Sequence, residues 1–353
     1  MGLWYATRED VRLALDSKES AQNSAQIDRA IESASREAER ICARKFAPVT
    51  ATRYFPRPSG DYSRAYRLWL DENELISVTT LSSGGTAIAS TDYFLEPVNS
   101  GPPFRSIELD LDSGASFTSG ASSQRQISIT GLWGYNDDQD AAGALAEALD
   151  ASETEVQVTN SSVIGVGHIL KVDSERMIVN DKQPLDTAQN LGIALTDRKN
   201  DNTVAVTDGT MYFAGETIKI DAELMYVVSI SANTLTVVRG EGGSVLAAHS
   251  IGADIYALRS LTVSRGALGS TAATHSSAAA VTKWHAPEGV RDYVIASAIV
   301  QNSQEATGYG QRVGSEMAER DSSGSENLSG RGLVDKRRTL RRTYARQFRK
   351  RAV

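Results

Sequence analysis

The chain has 353 residues, 41% of them hydrophobic and 23% charged, a net charge of −7 and a single cysteine, Cys42. That composition predicts a globular protein of two to three domains. One cysteine excludes an intrachain disulfide and any Cys-rich zinc or iron–sulfur site. The opening MGLWYATRED has no basic run followed by an apolar one, and Ala6 breaks the myristoylation pattern, so neither secretion nor lipid anchoring is expected. The most apolar stretch, Tyr293 to Val300, is far short of the roughly 20 residues of a membrane span.

Two helices are predicted first. Thr7 with Asp10 forms a capping-box variant ahead of Val11, Ala14 and Leu15. Ile27, Ile31, Ala34, Ala38, Ile41 and Cys42 then recur at helical spacing, until Pro48 blocks extension. We assign 1–49 to these helices. From 50 to 136 short β-prone runs take over: Arg53 to Phe55, Leu68 to Leu70, Leu75 to Leu81, Tyr93 to Leu95, Ile107 to Leu111 and Ile127 to Leu132. Gly, Pro and Ser turns separate them, as in a small antiparallel β subdomain.

Residues 137–286 contain two superimposed repeats. Val156-x-Val158-Thr159, Gly167, Lys171, Asp173-x-Glu175, Met177 and Val179 return 48 residues later, from Val204 to Val227. Leu235-Thr236-Val237, Arg239-Gly240, Gly243-Ser244, Ala247, His249-Ser250 and Ala253 return 26 residues later, from Leu261 to Ala279, with 11 identities in 22 positions. A constant register over so many positions signals duplication. Two front halves precede two back halves, so nesting is the simplest reading. One β module (about 154–195 plus 257–284) carries a copy of itself (about 196–256).

A helix is predicted over 287–318, opened by Pro287 and striped by Val290, Val294, Ser297 and Ala298. The Gly/Ser-rich stretch 319–332 reads as a flexible linker. The last segment, 333–353, reads as a basic helix with Leu340, Tyr344 and Phe348 on one face. From Arg331 onward there are ten Lys/Arg and one acid, a net +9 that leaves −16 on the rest of the chain. The expected fold class is therefore α+β.

The order of these pieces resembles the head-to-tail connector (adaptor) proteins of long-tailed double-stranded DNA phages. The residues that carry the resemblance are TREDVRLALD, IDRAIESASREAERICARKFAP, Tyr54-Phe55-Pro56, DYFLEP, GPPFRSIEL, ISITGLWGY and Pro287-x-x-Val290, over about 1–136 and 285–318. The repeats are similar to β modules inserted in some actinobacterial phage neck proteins. The resemblance implies a helical bundle with a β subdomain, assembled as a ring, commonly of twelve copies. It also implies a place in the virion neck after assembly in the host cytoplasm. The implied partners are the portal protein, downstream neck or tail completion proteins, and DNA passing through the lumen without specific binding. No membrane contact is implied.

Sequence chemistry points the same way. There is no G-x-x-x-x-G-K-[ST], H-E-x-x-H or G-x-S-x-G. Gly165-x-Gly167 lacks the third glycine of a dinucleotide loop and reads as a turn. We expect no catalytic residue, cofactor or metal. Asp173 with Glu175, and Asp221 with Glu223, would share a strand face, but the local sequence offers too few oxygens for calcium. Pairing with the repeated Arg265 and Arg239 is the expected use. His249 and His275 occupy equivalent repeat positions and are expected to serve the module's fold, as turn histidines.

The basic tail could be a solvated helix, a phosphate binder or a docking helix. Its apolar stripe favours docking in a partner's groove, with Arg337, Arg338, Leu340, Arg341, Arg342, Tyr344, Arg346 and Phe348 as contacts and the portal as partner. The alternatives are a carbohydrate-binding or other soluble β-module protein, or a non-specific DNA-binding protein acting through its tail. Aromatic residues that could stack on sugars are sparse in the repeat region, with Tyr212, Tyr226 and Tyr256 among the few.

Overall fold

The computed structural model describes residues 2–15, 24–58, 64–118, 122–306 and 328–346. These residues form a mixed α+β protein with four helices and three antiparallel sheets. The chain divides into two units.

One unit spans Ala43–Gln139 together with Gly266–Thr271. It holds β1 (Val49–Phe55), β2 (Arg67–Trp69), β3 (Leu75–Ser83), β4 (Thr86–Ile88), β5 (Tyr93–Glu96), β6 (Ser106–Leu109) and β7 (Ile127–Trp133). The sheets run β1-β7-β3-β4 and β2-β6-β5, all antiparallel. Strict alternation in β7 buries Ile127, Ile129 and Trp133 with Phe55, Leu75, Leu81 and Ile107. The six predicted runs are all strands. The added strand β4 is too short to show a period.

The other unit gathers Met1–Cys42, Asp140–Arg265 and Ala272–Val353. Its helices are α1 (Arg8–Ala14), α2 (Ser24–Cys42), α3 (Glu288–Ala306) and α4 (Leu328–Tyr344). Thr7 caps α1 through the capping box with Asp10. The stripe of α2 buries Ile27, Ile31, Ala34, Ala38 and Cys42. On α3, Val290, Tyr293, Val294, Ser297 and Ala298 are buried. α3 packs on α2 and α1, and ion pairs tie the three: Arg8–Asp28 at 2.7 Å, Arg29–Glu305 at 3.1 Å and Arg291–Asp10 at 2.5 Å. α4 begins at Leu328, inside the stretch expected to be a flexible linker. Once a packed turn exists, adding residues to its end costs little. None of the helices among the described residues is long and apolar enough to cross a membrane.

Ten strands form the third sheet: β8 (Gln139–Ala144), β9 (Glu155–Gln157), β10 (Ile169–Val172), β11 (Glu175–Asn190), β12 (Thr203–Ala205), β13 (Thr217–Ile220), β14 (Glu223–Ser231), β15 (Thr234–Arg239), β16 (Asp254–Ser264) and β17 (Ala280–Trp284). Two sets of pairings correspond. β9 lies on the end of β16 as β12 lies on β15. β10 pairs β11 and β17 as β13 pairs β14 and the start of β16. β11 pairs β16 as β14 pairs β15. Each set has its own core. One contains Val156, Val158, Met177, Val179, Leu261, Val263 and Val281, and the other Val204, Val206, Met225, Val227, Leu235, Val237 and Ile255. β11 and β16 are long enough to run through both, paired from Ile178↔Ser264 to Asn190↔Asp254.

Candidate functional site

The predicted partner-binding residues lie on α4. Leu340 is only 1% exposed. The Cys42 thiol at the end of α2 sits 4.0 Å from its carbonyl oxygen, and the Arg346 N–H donates to the Cys42 carbonyl at 2.9 Å. The Tyr344 ring lies against Gly289 at the start of α3. A Cβ there would come within 2.7 Å of the ring. Leu340 and Tyr344, expected as contacts to a neighbour, are engaged within this chain. The stripe closes on this chain's own α2 and α3, because spacing fixes an apolar face but not whose groove receives it. Phe348 lies outside the described residues.

The arginines remain outside. Arg337, Arg338, Arg341 and Arg342 are exposed, and Arg346 is half-buried. Lys336 approaches Asp292 only to 3.9 Å, Arg337 approaches Glu37 to 3.8 Å and Arg338 approaches Asp335 to 3.6 Å. No ion pair engages Arg341 or Arg342 among the described residues.

The repeated acids, arginines and histidines converge twice. Glu223 receives Arg239 through two bonds of 3.0 and 2.6 Å, with both side chains fully buried. His249 bridges Glu223 at 2.9 Å and Asp221 at 2.7 Å. The Ala247 and Gly240 N–H groups complete the Glu223 shell. Burial pushes the Glu223 carboxyl up, but its bonds from Arg239 and His249 outweigh this and hold it below the usual range. In the other copy Arg265 grips Glu175 at 2.8 and 2.9 Å, and His275 bridges Glu175 at 2.9 Å and Asp173 at 2.8 Å. Each arginine also donates to backbone carbonyls, Arg239 to Thr196 and Asp201, Arg265 to Asp150 and Glu153.

Asp173 and Asp221 do not share a strand face with their glutamates. They occupy two-residue hairpin turns at φ 52° and 50°, a conformation that aspartate tolerates. All the acceptor capacity of the buried glutamates meets protein donors, so each cluster is a cross-link between segments of the third sheet. Among the described residues no three His, Cys, Asp or Glu side chains are arranged to hold a metal.

A cavity of about 490 Å³ adjoins the segment Trp4–Asp10, with His168, Lys182 and Glu9 in its wall. Burial depresses the Lys182 amine, which donates to the Ser161 and Ile164 carbonyls at 3.2 and 2.8 Å. Burial also lowers His168 to about 3, so the ring is neutral, and its Nδ1 accepts the Gly165 N–H at 2.9 Å. Glu9 accepts the Val166 N–H at 2.8 Å and the Arg8 N–H donates to the Val166 carbonyl at 3.1 Å. These groups anchor the N-terminal segment.

Sequence reading missed this clasp, and the glycines were its signal. A Cβ on Gly165 would meet the Glu9 carboxylate at 2.6 Å, and one on Gly167 would meet Trp4 at 2.3 Å. The second copy has Phe213 in the place of Gly165, so the segment can seat only on the first.

Comparison with family models, curated proteins and solved structures gives no match.

Proposed function

We propose that this chain is a structural subunit of a ring-shaped head-to-tail connector in a long-tailed double-stranded DNA phage. The ring docks on the portal, links it to downstream neck or tail completion proteins and lets DNA pass. Twelve copies is the number the family resemblance implies. The observation that carries the reading is the return of α3 onto α1 and α2 after every strand among the described residues has been made. Early and late helices packed together, with β structure between them in the sequence, is the arrangement the resemblance implies.

The inserted region fits as an elaboration. We read it as one β module nested in another. Four strand pairings, two cores and two Arg–Glu–His–Asp clusters recur at the spacings of the sequence repeats, which supports this. The acidic body has a use in such a ring. Facing the lumen, a net −16 repels phosphate and keeps the duplex free to slide.

Electron microscopy of assembled particles tests the reading. The chain should appear as a rotationally symmetric collar below the portal vertex. Density on the capsid shell or at the tail tip overturns it.

A further inference from the structure

We propose that the outward face of α4 is a sequence-independent binding strip for the phosphate backbone of double-stranded DNA. The inference combines two observations. The apolar side of α4 is closed by its own chain, with Leu340 buried and Tyr344 against Gly289. Among the described residues of α4 the exposed large apolar side chain is Val334, near its start, which is too little to anchor the helix in a protein groove. What α4 offers outward is mainly charge.

That charge is dense and available. The side chains of Arg338, Arg337 and Lys336 are 78%, 55% and 48% exposed. Their nearest acids stand beyond hydrogen-bond range, and Arg341 and Arg342 have none within ion-pair distance among the described residues. At 100° per residue Arg338 and Arg342 fall on the side away from Leu340 and Tyr344, Arg341 falls on the flank, and Lys336 and Arg337 border the packed face. Four of the five cations are arginine, whose planar fork matches a phosphate's paired oxygens. The sequence adds Arg349, Lys350 and Arg351 immediately beyond.

Packing on α2 and α3 holds the strip in place before any ligand arrives, so little ordering entropy opposes binding. The remaining 330 residues carry a net −16, which disfavours contact with DNA elsewhere on the chain. A single strip held by counterion release binds loosely and without regard to sequence. The proposal stands on α4 alone and does not depend on the connector reading.

The test uses the full chain and a fluorescein-labelled 20-base-pair duplex, followed by anisotropy from 50 to 200 mM NaCl. Binding should be saturable at 50 mM and equal within threefold for two unrelated sequences. Its affinity should fall with a log–log salt slope of about −3 to −5. A triple Arg338→Gln, Arg341→Gln, Arg342→Gln variant should lose at least tenfold in affinity at 50 mM and flatten the slope, with an unchanged thermal midpoint. The triple Arg→Lys variant at the same positions should keep most of the binding. Absence of binding at 50 mM, or a triple Gln variant that binds as the parent does, overturns the proposal. So does displacement of the duplex by poly-glutamate more readily than by unlabelled duplex at equal charge, which assigns the face to an acidic protein.

Discussion

Arg239 and Glu223 show how a charged pair becomes a structural bolt. Both are removed from water, which is costly, and the cost is met by a two-pronged bond plus backbone partners on every side. Removing one member leaves the other charged and enclosed. Arg239→Met should therefore destabilise the protein by about 3–5 kcal/mol in urea unfolding. Arg338→Gln, which breaks only the 3.6 Å surface approach to Asp335, should cost under about 1 kcal/mol. The partnership was legible in advance because Arg, Glu and His recur together at matching offsets. The turn conformation of Asp173 and Asp221 was not, since two residues of separation look the same in a strand and across a hairpin.

Helix α4 marks the limit of reading at the level of the element. Its stripe was visible as Leu340 and Tyr344 four residues apart, and so was its charge. The groove was not, because it is made by α2 and α3, which lie far away in sequence. The same holds for the clasp at Gly165, where the missing side chain has meaning only once Thr7 and Glu9 are seen to lie above it. Strands with clean alternation, such as β7, declared themselves, whereas three-residue β4 could not.

If Leu340 seats α4 on its own chain, Leu340→Asp should release the helix and leave the rest of the unit folded. Hydrogen exchange should then show loss of protection confined to 332–346 and the facing turns of α2 and α3. Unchanged protection over α4 would contradict the packing described.

At the scale of the whole chain, β11 and β16 form an antiparallel ribbon that leads into the second core and out again, its last pair being Asn190↔Asp254. Ends that close can be joined by a tight turn. Replacing Leu191–Ala253 with Asn-Gly, a preferred two-residue hairpin link, and Ile255, thereby uncovered, with Thr, should leave a folded protein. Its circular dichroism should retain the helical signal and it should unfold in one cooperative transition. A molten or aggregated product would show that the two cores depend on each other for their folds.

The ribbon also sets a timetable for a chain leaving the ribosome. The first core begins with Ala142 but needs Leu261, Val263 and Val281 to close, more than a hundred residues later in synthesis. The second begins after it, near Leu191, and is complete at Ala257. The core that starts last finishes first. Through that interval the early strands β9 and β10 wait for β16 and β17, while every residue of the second core has already been made.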